Sequence, residues 1–249
     1  MTGKFNKLKN FIIKITEEIK KDDLISAAND MTYKLFFSIF PFLIFLMSVV
    51  GFLKLDTANF TAQISSVLPY SLAEPARHFI SEITRVKSAN ILSFSLVISI
   101  YGASAGFRTA MRGINKIYGQ KDTRKIFIKI PVSMALVLIF TVIIIISLFH
   151  IFNYTVNIII MLFSVVLINK LALYKNKKVS VKSLIPGTFF TVLSWFAISR
   201  GFNIYIENFT NYSALYGSIA AVIIFMLWLN IMCIVLLLGS EINAVCDKN

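Results

Sequence analysis

Acidic residues are scarce in this chain, and so are the residues that usually hold metals. Twelve Asp and Glu, two His and two Cys are spread over 249 residues. His78 and His150 belong to no ligand motif, so the clustered His and carboxylate sets that metal-dependent nucleases need are missing. Cys233 and Cys246 are 13 positions apart within and just after one apolar run. On a continuous helix that separation is about 20 Å, too far for a disulfide. The phosphate-binding pattern G-x-x-x-x-G-K-[ST] does not occur, which excludes an ATP-binding domain of that type in this chain. Charge itself is thin at 15% of residues, against about 25% in soluble domains.

What fills the chain instead is hydrocarbon: 57% of residues are hydrophobic and the mean hydropathy is +0.77. A bilayer-spanning helix needs about 20 mostly apolar residues. Six runs qualify as candidates: Tyr33–Leu53, Ile91–Phe107, Ile130–Phe152, Thr155–Leu173, Ser183–Ile206 and Ala214–Val245. The expected fold is all-α, a polytopic membrane bundle of six transmembrane helices. Residues 1–32 form a cytoplasmic basic amphipathic segment, 33–245 one transmembrane domain, and 246–249 a cytoplasmic tail. The first span serves as the targeting element.

The net charge of +13 would suggest nucleic acid if the basic residues formed one solvated domain. They fall in short clusters between apolar runs, and such clusters set membrane orientation. The segment before the first span, the second connection (Arg108 to Lys129) and the fourth (Lys170 to Lys182) together hold 18 of the 25 basic residues. With six spans all three lie on one side, so both termini are expected in the cytoplasm.

Three stretches outside the spans have helical periodicity. Phe5, Leu8, Phe11, Ile12, Ile15 and Ile19 make a basic amphipathic helix, either lying on an anionic leaflet or capping the bundle. Ala76, Phe79, Ile80, Ile83 and Val86 repeat the pattern in the first external loop, as a lid or a passive cover. After the second span, Phe107, Met111, Ile114 and Tyr118 make one stripe, while Arg108, Arg112, Asn115 and Lys116 make a polar one.

Two charges stand out. Glu241 ends the last apolar run with no basic residue nearer in sequence than Lys248. Parity brings the ends of the second and sixth spans to one level, where Arg108 and Arg112 could hold Glu241 in a forked contact, with Asp30 and Lys34 close by. That contact is either a pin joining helix ends or a cytoplasmic gate or headgroup site; a plain solvated acid is the third possibility. Arg200, near the outer end of the fifth span, has Glu207 or a lipid phosphate as partner, or else reaches the interface unaided. Tyr205, Tyr212 and Tyr216 nearby read as an interfacial aromatic belt. The small residues of YGASAGF (101–107) and YGSIAA (216–221) let helices approach closely, and Pro41 and the Pro186–Gly187 pair could kink or break their spans.

Three blocks resemble the YihY/virulence factor BrkB family, formerly labelled ribonuclease BN-like: AANDMTYKLFFSIFP (27–41), SAGFRTAMRGINKIYG (104–119) and YSALYGSIAAVIIFMLWLNIMCIVLLLGSEINAV (212–245). Tyr216, Gly217, Trp228, Gly239, Glu241 and Asn243 stand at signature positions of the last block, and Arg108, Asn115 and Tyr118 at those of the middle one. Pro41, Gly102 and Gly106 complete the expected packing set. Asp30 and Lys34 depart from the mostly apolar or small residues expected in the first block. The resemblance implies a six-helix protein of the bacterial cytoplasmic membrane, with a transport role and lipids or envelope precursors as cargo, and it treats the ribonuclease label as a misassignment. Beside it, the residues favour a non-enzymatic carrier without cofactor or nucleic-acid partner. Arg108, Arg112, Asn115, Asn243, Asp30 and Glu241 would form the inner site, and Arg200, Tyr205 and Glu207 the outer one. Its partners would be anionic membrane lipids, with homo-oligomers or envelope proteins as further partners. The alternative is a non-transporting scaffold for envelope enzymes, marked by a solid bundle with no polar groove from Arg200 towards Arg108.

Overall fold

The computed structural model describes residues 2–52, 62, 77–78, 81, 89–120, 124–148, 154–173, 179–208 and 211–248. Among these all regular structure is helical, with no strand. Helix α1 is Thr2–Lys21, α2 Leu24–Phe52, α3 Ala89–Ile117, α4 Ile126–Leu148, α5 Tyr154–Ala172, α6 Ile185–Asn208 and α7 Asn211–Lys248. A single 3₁₀ turn, Lys182–Leu184, leads into α6.

Each apolar run falls essentially within one helix, because nothing inside the runs stops a helix except the prolines. Pro41 removes one backbone donor from α2, yet the helix runs through it. Pro186 breaks nothing: it sits in the first turn of α6, where a proline's missing N–H has no partner to lose. The chain turns between α1 and α2 at Asp23, whose φ of 48° is a left-handed conformation that Asp tolerates better than most residues. That turn precedes the expected boundary at residue 32, so residues 24–32 belong to α2. Helix α3 ends in a glycine cap: Gly119 (φ 63°) turns the chain so that the Gln120 N–H donates to the Asn115 carbonyl at 2.8 Å.

Among the described residues, two stretches are long and apolar enough to cross a membrane on those grounds alone, Ile126–Ile145 and Val222–Asp247, with Ile158–Ala172 a shorter one. Helix α3 carries many small and hydroxylated residues, which lower its hydropathy without disturbing the helix. The outward surface is nonetheless apolar. Tyr33, Phe37, Val97, Ile98, Val142, Phe163, Phe189 and Ile223 are all more than half exposed, an extent of exposed hydrocarbon that marks a membrane or interaction surface.

The amphipathic expectations fare unevenly. On α1, Ile19 packs against the core while Ile13 is exposed. The expected loop helix rests on Ala76, Phe79, Ile80, Ile83 and Val86, all outside the described residues. On α3, Met111 and Ile114 are buried as the stripe requires, and Arg112 and Lys116 are exposed. Asn115 departs from the polar face: it is buried, and its amide donates to the Met111 carbonyl one turn back at 2.8 Å.

Close helix approach is set by glycines. A Cβ on Gly102 would lie 2.9 Å from the Pro41 ring, and one on Gly106 would lie 2.6 Å from Leu35, so side chains of α2 sit directly on the backbone of α3. Helices α6 and α7 meet still more closely at Gly187 and Gly239, where a Cβ on Gly239 would lie 2.6 Å from the Gly187 carbonyl oxygen.

Candidate functional site

At the end of the bundle where the last turn of α1, the C-terminal part of α7 and the C-terminal ends of α3 and α5 meet, buried polar side chains lie between the helices. Glu241 is completely buried there (0% exposed). Its carboxylate lies within 4.8 Å of those of Glu18 and Asp22, which arrive from the last turn of α1 and the bend after it. Glu18 also pairs with Lys21 at 3.2 Å. The three carboxylates are the group among the described residues whose atoms could together hold a cation. The neighbouring Tyr118 hydroxyl is buried with no hydrogen-bond partner among the described residues. Burial pushes its phenol well above the ordinary value, and negative charge on Asp247, Glu241 and Cys246 adds to the effect.

Asn243, also fully buried, does a different job. Its Oδ1 accepts the Gly187 N–H at 2.7 Å, satisfying a donor in the first turn of α6 and fixing that helix against α7. The Thr191 hydroxyl donates to the Gly187 carbonyl at 2.8 Å and completes the joint.

Arg108 and Glu241 are not brought together. The Arg108 guanidinium donates to the hydroxyls of Ser104 and Ser133 and lies 4.9 Å above the Tyr101 ring, with the Tyr101 carbonyl at 3.5 Å. The cause is helix geometry: side chains tilt towards the N-terminus of their helix. Arg108 therefore climbs back along α3 towards its apolar part, between α3 and α4. Arg112 is exposed one turn further on. Asp30 does not join Glu241 either; it is exposed on α2 and pairs with Lys34 at 2.6 Å. Arg200 is exposed near the end of α6, and Tyr205 and Glu207 continue that helix, their side chains outside what is described. The same holds for Tyr216 and Gly217 on α7.

At the level of Met31 to Phe42 on α2 and Ala103 to Ala110 on α3 lies an apolar chamber of about 640 Å³, lined by all six long helices from α2 to α7. Trp228, stacked on Phe225, and Trp195, whose indole donates to the Met232 carbonyl at 3.1 Å, form part of the wall. Among the described residues no charged one lines it. Among the described residues the bundle is thus not solid, and the space within it is apolar.

Residues 15–249 match the family model described as Virulence factor BrkB, which covers every described residue of the site and chamber. The chain belongs to the virulence factor BrkB family. Within that family setting, a protein named as ribonuclease-like, YfkH of Bacillus subtilis (strain 168), is 27% identical over 248 residues, covering 90% of each chain. The UPF0761 membrane protein PSHAa0171 of Pseudoalteromonas translucida is 38% identical over 72 residues, 29% of this chain and 24% of that one. A UPF0761 membrane protein of Pseudoalteromonas atlantica is 32% identical over 72 residues, again 24% of its length. These last two matches span about a quarter of the relatives concerned. No solved structure matches the chain.

Several residues of this BrkB-family chain that matter here carry no signal in sequence spacing. Arg124 is 8% exposed and donates to the Leu171 carbonyl at 3.0 Å, capping the end of α5. Ser240 donates to Asn169 at 2.9 Å across α5 and α7, and Asn230 donates to Asn29 and Thr32 on α2 at 2.8 and 3.0 Å. The acidic trio was discoverable in part, since Glu18 and Asp22 stand one helical turn apart within a short acidic stretch, with Glu17 and Asp23, at the end of a basic segment.

Proposed function

We propose that this BrkB-family chain carries a lipid or amphiphilic envelope precursor across the bacterial cytoplasmic membrane, through six spans with both termini in the cytoplasm. The observation that carries the reading is the seat of Arg108. A guanidinium on an apolar flank is costly unless its charge is met, and among the described residues its partners are two hydroxyls, one carbonyl and one ring. An anionic phosphate headgroup supplies the missing charge in a geometry that guanidinium favours. Arg112 adds a second cation one turn towards solvent, and Arg200 provides one near the opposite face. The clustering of basic segments at one end supports the orientation, and anionic leaflet lipids would reinforce it. The reading is non-enzymatic and sets aside the ribonuclease-like name of YfkH.

The test is translocation of a fluorescent phospholipid in proteoliposomes. The intact protein is expected to move it, with Arg108→Ala and Arg200→Ala each slowing transfer at least tenfold. Unchanged rates in both folded variants would end the headgroup reading. A non-transporting scaffold is the second reading, favoured by the packed basic end, where Glu241 and Asn243 are sealed from solvent. Folded protein that moves no phospholipid but retains a cytoplasmic enzyme partner would support it.

A further inference from the structure

The apolar chamber plays no part in the recognition of a headgroup, and its dimensions are specific. Along α2 its wall runs from Met31 to Phe42, which at 1.5 Å per residue is about 16 Å parallel to the bundle axis. Its volume of about 640 Å³ lies within the range of ligand sites. A cavity of about 150 Å³ admits benzene, so this one has room for roughly two dozen carbon atoms in an elongated space.

The lining says what those atoms are. The Ser38 hydroxyl donates to the Leu35 carbonyl at 2.8 Å and the Trp195 indole to Met232, so the chamber's polar groups are few and partly engaged. Water requires two to four polar partners at each position, and an ion requires counter-charge that the described residues of this wall lack. Left empty, a space of this size would deprive its walls of dispersion contacts on one side. The surface outside the same helices, at Phe37, Ile98 and Val142, is exposed hydrocarbon, so the medium at the bundle's flank is itself a reservoir of chains.

We infer that the chamber binds one long hydrocarbon chain of a membrane amphiphile. The inference rests on the lipid reading for the amphiphile and on the chamber alone for the chain. Headgroup and chain are then held by different parts of the molecule: the cationic flank of α3 faces the phosphate, and the interior faces the tail.

Photo-crosslinking of the full chain in vesicles tests this. Three probes are compared: phosphatidylglycerol with a diazirine at the end of one acyl chain, a free fatty acid with the same tail, and phosphatidylglycerol with the diazirine on its headgroup. Adducts are mapped by mass spectrometry. The chain-labelled phospholipid is expected to mark Met161, Leu229 and Cys233 inside, while the headgroup probe does not. Two chamber-filling variants, Ala110→Phe and Ser199→Trp, at different levels of the wall, should each reduce interior adducts at least fivefold. Adducts on outward Phe37 and Val142 should persist, which reports that the variant is folded. Labelling by the fatty acid as well would make a free chain sufficient; labelling by the phospholipid alone would make the intact lipid the ligand, and either supports the site. Adducts confined to Phe37 and Val142, or interior adducts undiminished in both folded variants, would overturn it. Interior labelling without any translocation would remove the transport reading and leave the chain site standing.

Discussion

The basic end of the bundle and its middle solve the packing of the same helices in opposite ways. At the basic end α6 and α7 close to backbone contact at Gly187 and Gly239, and buried side chains such as Asn243, Ser240 and Asn169 fill what remains. In the middle, large apolar side chains including two tryptophans stand around a space they do not fill. Polar groups are thus concentrated where they are tightly held, and the void lies where mostly hydrocarbon borders it. A carboxylate as deeply buried as Glu241 therefore gives no evidence by itself of a moving gate, whereas an unfilled apolar interior provides space for a ligand.

The contrast breaks first at the tightest joint. Gly239→Leu places a branched side chain against the Gly187 carbonyl and the Thr191 hydroxyl, and overpacking of this kind is expected to cost about 3 kcal/mol. Loss of folded protein in a thermal or denaturant titration would show it; a wild-type midpoint would mean the two helices can separate cheaply. The next comparison is between walls. Leu237, fully buried against Gly113, should lose about 4 kcal/mol on truncation to Ala, while Leu229, which already faces the chamber, should lose about 2. Equal losses would mean that the chamber is occupied by side chains in solution. Asn243→Ala leaves the Gly187 N–H without its acceptor and is expected to cost about 2 kcal/mol. Trp195→Phe removes a single bond to Met232 at the chamber wall, and its cost should be about 1 kcal/mol. Both are measured as shifts of the same unfolding midpoint.

The smallest effect sharpens the account of the basic end. Tyr118→Phe removes a buried hydroxyl without a partner among the described residues, so stability near neutral pH should change by less than about 1 kcal/mol. The folded phenol titrates above its ordinary value, so the folded state keeps a proton that the unfolded state releases above about pH 10. The intact protein should therefore lose stability as pH rises beyond that point, and Tyr118→Phe should lose less. Identical alkaline unfolding curves would place Tyr118 in a wetter setting.

Much of this architecture was legible before any coordinates. Apolar runs longer than a helix needs, separated by basic clusters, left few alternatives to a helical membrane bundle, and the glycines of YGASAGF do lie where helices α2 and α3 meet. The position of Arg108 was misread because parity of the spans fixes the level of a residue, not the direction in which its side chain leans. The tilt of side chains towards a helix N-terminus would have turned it away from Glu241. The carboxylates beside Glu241 lie more than two hundred positions away, on α1 and in the bend after it, and no local period encodes such a meeting. The chamber was wholly illegible, since a void depends on how volumes from six helices sum, and no single residue announces it.

The glycine contacts have a mechanical consequence. Pro41 with Gly102 and Leu35 with Gly106 lock α2 to α3, while Gly187, Gly239 and Asn243 lock α6 to α7. Each pair is stiff: at Gly187 and Gly239 backbone meets backbone, and at Gly102 the rigid ring of Pro41 rests directly on the α3 backbone. The chamber is bordered by both pairs. Any swelling or narrowing of that space is therefore taken up at the seams between two rigid struts, and the compliance of the molecule is concentrated where its interior is softest.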